Sequence, residues 1–87
     1  MKEIKEELEI FDNLNRLEIL KLLKNKGEIS VGSIADKTKL SFKTVSRQLL
    51  YLAKNGIVER RYDGQFVLYK ISSSLSKTAN IIISNLL

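Results

Sequence analysis

Apolar residues recur along this chain at two periods, and the change of period divides it. Ile4, Leu8 and Phe11 stand at helical spacing, with Lys2/Glu6 and Lys5/Glu9 four apart on the outer side. That pattern predicts an amphipathic helix over 2–12. Asn13 is placed to cap a second helix, 14–25, in which Leu17, Leu20 and Leu23 form one stripe backed by Ile19 and Leu22. Gly27 ends it, as a C-terminal glycine does. Glu28-Ile29 is a brief extended link. Ser30 then caps a short third helix to about Lys37, carrying Val31, Ile34 and Ala35. Thr38-Lys39-Leu40 is a turn, and Ser41 caps a longer helix, 42–54, with Val45, Leu49 and Leu52 facing inward. Asn55-Gly56 stops it.

Beyond that point the period drops to two. Residues 57–62 and 65–71 are rich in β-branched and aromatic types, and Asp63-Gly64 between them is a two-residue hairpin signal. Pairing across that turn sets Val58, Arg60 and Tyr62 opposite Tyr69, Val67 and Gln65. Ile57, Glu59 and Arg61 share the other face with Lys70, Leu68 and Phe66. Both faces are mixed, so the pattern does not choose the one that packs inward. Ser72-Ser73-Ser74 opens a final helix, about 74–86, lined by Leu75, Ala79, Ile82, Ile83 and Leu86. The expected architecture is one mainly α domain over 1–87 with a β-hairpin wing: a winged helix-turn-helix in the order α-α-α-α-β-β-α. Residues 30–54 are its helix-turn-helix and 57–71 its wing.

Composition narrows the chemistry. The 87 residues include no cysteine, no histidine and no proline. Disulfides, thiol chemistry, the usual zinc sites and imidazole catalysis are therefore excluded, and no metal or cofactor is expected. The remaining nucleophiles do not gather: Ser72, Ser73, Ser74 and Ser76 near Lys77 read as helix capping, so no enzyme is expected. No apolar run approaches a membrane span, and the charged N-terminus is unlike a signal peptide, so a cytoplasmic protein is expected.

The net charge of +5 is unevenly placed: residues 1–12 carry −3, residues 13–71 carry +7 and residues 72–87 carry +1. An acidic end and a basic middle suit a nucleic-acid face on a small domain. Helix 42–54 shows where that face lies. At 100° per residue, Lys43, Arg47, Leu50 and Lys54 fall opposite the inward stripe, with Thr44 and Gln48 on the flank. Arg can bond guanine bidentately, Gln can pair with adenine, and a Thr methyl or Phe42 can touch a thymine methyl. Lys43 and Lys54 suit phosphates, as do Ser41 and the helix N-terminus. The wing adds Arg60, Arg61 and Lys70, with Gln65 at its tip, where arginine is favoured in a minor groove. The expected DNA-contacting set is Ser41, Phe42, Lys43, Thr44, Ser46, Arg47, Gln48, Lys54, Arg60, Arg61 and Gln65. An exposed Leu50 between Arg47 and Lys54 fits a contact with a partner or packing against the N-terminal helix. It keeps open the alternative of a winged-helix protein–protein interaction module in a transcription or assembly complex.

The stretch Leu17-Glu18-Ile19-Leu20 … Ile34-Ala35 … Leu40-Ser41-Phe42-Lys43-Thr44-Val45-Ser46-Arg47-Gln48-Leu49 … Leu52 … Asn55-Gly56-Ile57-Val58 resembles the winged-helix repressors of the ArsR type. Asn13-Leu14-Asn15-Arg16 lies where that family often opens its second helix with Asp-Pro-Thr-Arg, and Tyr69-Lys70-Ile71 where it ends the wing. The Ser-x-x-Thr-Val-Ser-Arg-x-Leu run also occurs in MarR-like regulators. The resemblance implies a double-stranded-DNA-binding repressor acting as a homodimer. Metal-sensing members place cysteines in the third helix; here the matching segment reads Ile29-Ser30-Val31-Gly32-Ser33, so thiolate sensing is not expected.

The family pairs its first and last helices about a two-fold axis. Here residues 81–87 hold Ile81, Ile82, Ile83, Leu86 and Leu87 and no charge, and burying each is worth about 1.5–3 kcal/mol. The expected dimer surface is Ile4, Leu8, Phe11, Leu75, Ala79, Ile82, Ile83 and Leu86, on the dimerisation helices 2–12 and 74–87.

Overall fold

A computed structural model describes residues 4–87. In chain order the elements are α1 (Ile4–Ile10), α2 (Leu14–Lys26), β1 (Ile29–Ser30), α3 (Val31–Thr38), α4 (Phe42–Lys54), β2 (Val58–Asp63), β3 (Phe66–Ile71) and α5 (Lys77–Leu86). The expected start of the first helix at residue 2 lies outside the described residues.

The helix starts follow from local chemistry. Asn13 Oδ1 accepts from the Arg16 amide at 3.0 Å, Ser30 Oγ from Ser33 at 3.2 Å and Ser41 Oγ from Thr44 at 3.0 Å. Each bond satisfies an amide that the first turn leaves without a partner, and is worth about 1 kcal/mol. The tight turn between α3 and α4 places Lys39 at φ 64°, a left-handed backbone that a side-chain-bearing residue adopts at some cost. Thr38 spans that turn: its hydroxyl donates to the Ile34 carbonyl at 2.7 Å and accepts from the Leu40 amide at 3.4 Å.

Three sequence expectations are corrected. The extended link expected at Glu28-Ile29 is a two-residue strand at Ile29–Ser30, pairing Ile29 with Tyr69 and Ser30 with Leu68 in an antiparallel sheet of order β1-β3-β2. The hairpin register differs by two residues: Val58 faces Ile71, Arg60 faces Tyr69 and Asp63 faces Phe66. The loop is therefore Gly64-Gln65 rather than Asp63-Gly64. Gly64 has φ 63° while Gln65 keeps a negative φ, so glycine is needed at the first loop position, as in a type II′ turn. A two-residue slip preserves which side chains share a face. It leaves Val58, Val67, Tyr69 and Ile71 on the inner face, with Val58 and Tyr69 fully covered.

The last helix begins at Lys77, capped by Ser76, not at Ser74. The serine run instead latches the wing. Glu59 Oε2 accepts from the Ser73 amide at 2.9 Å, the Ser73 hydroxyl at 3.0 Å and the Ser72 hydroxyl at 3.2 Å. These bonds, the Ser73 amide foremost, hold the Glu59 carboxyl below its ordinary pKa.

One core joins these elements. Ile19, Leu20 and Leu23 of α2, Ile34 of α3 and Val45, Leu49 and Leu52 of α4 are fully covered, and Ile10, Phe11, Ile57, Val58, Tyr69, Ala79 and Ile83 close around them. The short helix, tight turn, longer helix and adjoining sheet make a winged helix-turn-helix.

Candidate nucleic-acid interface

Packing of Val45, Leu49 and Leu52 fixes the rotation of α4, and with it the face turned outward. Lys43, Arg47, Leu50 and Lys54 are all exposed on that face. Among the described residues, no carboxylate forms an ion pair with Lys43, Arg47 or Lys54; the two ion pairs found are both on the wing. Ser46 and Thr44 are half-buried beside this stripe, and the Thr44 hydroxyl accepts from Ser41 Oγ at 2.9 Å. Phe42, 61% exposed, opens the helix across a cleft from Gln65, Phe66 and Val67 at the wing tip. Leu50 is 52% exposed.

Gln48 is placed differently from its neighbours. It is half-buried, and its Oε1 accepts from Arg16 Nη1 at 3.1 Å. In the sequence Arg16 is legible only as part of the segment that opens α2; its contact with α4 is not. Their separation of 32 residues leaves no periodic signal of the contact.

The two wing arginines, adjacent in sequence, point to opposite faces. Arg60 is exposed, donates to the Tyr62 hydroxyl at 2.8 Å and lies 5.4 Å from that ring's centre. Arg61 is bonded in fork geometry to Glu28, with Nε–Oε2 at 2.9 Å and Nη2–Oε1 at 2.7 Å. This pairing holds the Glu28 carboxyl below its ordinary pKa, and it takes Arg61 out of the set of unpaired cations on which the sequence placed it. Lys70 lies 3.9 Å from Glu59 on the same side. Gln65 is exposed in the wing turn.

The apolar end is also redistributed. Phe11, Ala79 and Ile83 are buried in the protomer's own core, and Leu75 and Ile82 pack partly against it. The sequence pattern places them on a dimer face; in the fold Ala79, Ile82 and Ile83 of α5, Phe11 after α1 and Leu75 before α5 turn toward the protomer's own core instead. On α1, α2 and α5 the large apolar side chains left exposed are Ile4, Leu8, Leu14, Ile81 and Leu86. Ser76 Oγ donates to the Glu7 carboxylate, tying α1 to the start of α5.

No group of three or more His, Cys, Asp or Glu side chains gathers among the described residues, and the donor set does not fit a thiolate or imidazole metal centre. None of the helices among the described residues is long and apolar enough to cross a membrane.

Comparison with known proteins places this geometry. A family profile described as bacterial regulatory protein, arsR family, matches residues 13–60. The transcriptional activator HlyU of Vibrio cholerae is 36% identical over 67 residues, covering 77% of this chain and 61% of that protein, so the match spans less than two thirds of that relative's length. The structure of reduced HlyU superposes with a TM-score of 0.79 at 33% identity, covering 91% of this chain and 79% of the other. A Mycobacterium bovis fragment, described as a homodimeric winged helix-turn-helix DNA-binding domain of a possible ArsR-family regulator, gives a TM-score of 0.75 at 31% identity, with coverage of 90% and 68%. The repressor BigR of Xylella fastidiosa gives 0.74 at 28% identity, with coverage of 88% and 73%.

Proposed function

Since the chain belongs to the arsR family of bacterial regulatory proteins, which are transcription regulators and not enzymes, we propose that it binds double-stranded DNA sequence-specifically as a cytoplasmic homodimer. The observation that carries this reading is the outer face of α4, where Lys43, Arg47 and Lys54 are exposed and, among the described residues, form no ion pair with a carboxylate, on a helix whose inner face is locked in the core. In this reading α4 enters the major groove. Phe42, Ser46 and Arg47 meet base edges, Lys43 and Lys54 meet phosphates with Ser41 and Thr44 at the helix start, and Arg60 and Gln65 follow the flanking strand.

The exposed apolar side chains Ile4, Leu8, Leu14, Ile81 and Leu86 supply the surface for a second copy. The Mycobacterium bovis relative is described as a homodimer, which supports this arrangement. A two-fold pair sets its recognition helices about 34 Å apart, so the target is a near-palindrome with half-sites one turn apart. Relatives include a named activator and a named repressor. Repression is our reading here, because it needs only occupancy of the operator.

Selection of duplexes from a random library, followed by titration of the winner, tests the proposal. Neutralising six to ten phosphates lowers affinity about 10³–10⁵-fold between 50 and 200 mM salt. Failure to enrich any duplex, or binding with no salt dependence, would overturn it and favour the protein-binding alternative that Leu50 keeps open.

A further inference from the structure

One side chain joins the proposed dimer helix to the proposed recognition helix. Arg16 Nε donates to the Ile10 carbonyl at 2.7 Å and Nη2 to the Glu9 carbonyl at 3.1 Å, both at the C-terminal end of α1. Nη1 donates to Gln48 Oε1 at 3.1 Å, in the middle of α4. The guanidinium carbon also sits 4.3 Å from the centre of the Tyr51 ring, one turn further along α4. The Ile10 carbonyl is an acceptor that the helix end leaves without an intrahelical partner, the Glu9 carbonyl takes Arg16 beside the Asp12 amide at 3.1 Å, and a cation there is favoured by the helix dipole. A guanidinium is a rigid planar fork with donors only, so the group of Gln48 that faces it is the carbonyl oxygen. The amide of Gln48 is therefore held from the protein side.

We propose that Arg16, acting through Gln48 and Tyr51, is a positioning residue that transmits the pose of α1 to α4 and so sets the half-site spacing the dimer accepts. This rests on the DNA-binding homodimer proposed above. It makes Gln48 a part of the positioning device and leaves base reading to Phe42, Ser46 and Arg47. Lysine is not an equivalent at position 16, because a point-like ammonium cannot span two carbonyls, an amide and a ring face together.

The test uses the full chain and its selected palindromic duplex, together with versions whose central spacer is one base pair longer or shorter. The wild type is expected to prefer one spacing strongly. Arg16→Lys and Gln48→Met are each expected to lower affinity at that spacing about tenfold, the scale of one charge-assisted hydrogen bond, while the penalty for a changed spacer shrinks. The double variant is expected to be no weaker than the more affected single variant, because the two residues act as one unit. Base preferences within each half-site stay unchanged. Circular dichroism confirms that the variants fold, and Tyr51→Leu serves as a third probe if Arg16→Lys does not. An unchanged spacer penalty with equal loss on every duplex overturns the proposal, as does a new preference at one base pair in Gln48→Met, which would make Gln48 a reader. A wild-type chain that binds no duplex instead removes the DNA-binding reading itself.

Discussion

The outer face of α4 and the wing are both cationic, yet their charges are disposed differently. On α4, Lys43, Arg47 and Lys54 stand exposed without a carboxylate in ion-pair range among the described residues. On the wing, Arg61 is forked onto Glu28, and Lys70 lies beside Glu59. Arg60 leans on a tyrosine. Charge already satisfied within the protein must be released before it can neutralise a phosphate, whereas unpaired charge is available at once. A count of lysines and arginines cannot tell the two apart. The wing's ion pairs are exposed and add little to stability. Their consequence is to select which wing side chains remain available.

The sharpest way to break this contrast is at Arg47. Arg47→Ala is expected to cost about 1–3 kcal/mol of operator binding and to blur preference at one base pair, while Lys54→Ala weakens all sequences alike. Competition titrations on operator and random duplexes measure this, and equal losses on both for Arg47→Ala would remove its base-reading role.

Smaller effects separate the two wing arginines. Arg60→Ala is expected to weaken DNA binding by up to about tenfold, and Arg61→Ala by much less, since Arg61 is held by the Glu28 carboxylate and Arg60 only by neutral tyrosines. The reverse ranking would show that the Glu28 pair opens on binding.

The smallest effect concerns acid. Glu28 and Glu59 both titrate below the ordinary glutamate range in the folded protein, through the Arg61 hydrogen bond and the Ser73 amide respectively. A carboxyl with a depressed folded pKa contributes stability that is complete above its unfolded pKa, and that contribution is lost as pH falls through the folded value. The melting temperature of Glu59→Gln should therefore lie below the wild type's at pH 7, and the gap should close below about pH 4. A gap that persists at pH 3 would assign the effect to packing rather than to charge.

The elements of the fold were largely legible in the sequence because their causes are local. Asn13, Ser30 and Ser41 cap the helices where the pattern placed them. The inward stripe of α4 followed from the 3.6-residue period. The hairpin was legible as a hairpin, but its register was not: Asp63-Gly64 and Gly64-Gln65 are both plausible loops, and inner-face packing of Val58 and Tyr69 is compatible with either. The serine run is ambiguous in the sequence because capping and latching use the same hydroxyls. Only the nearness of Glu59 distinguishes them.

What the sequence determined by itself is thus the set of helices, the wing and the cationic side of α4, all governed by contacts within a few residues. What the tertiary structure alone decided is which charged and apolar groups remain unpartnered. Glu28 meets Arg61 across 33 residues and Arg16 meets Gln48 across 32, while Phe11, Ala79 and Ile83 turn into the core. Such pairings depend on how the elements pack in space, and no period along the chain encodes them.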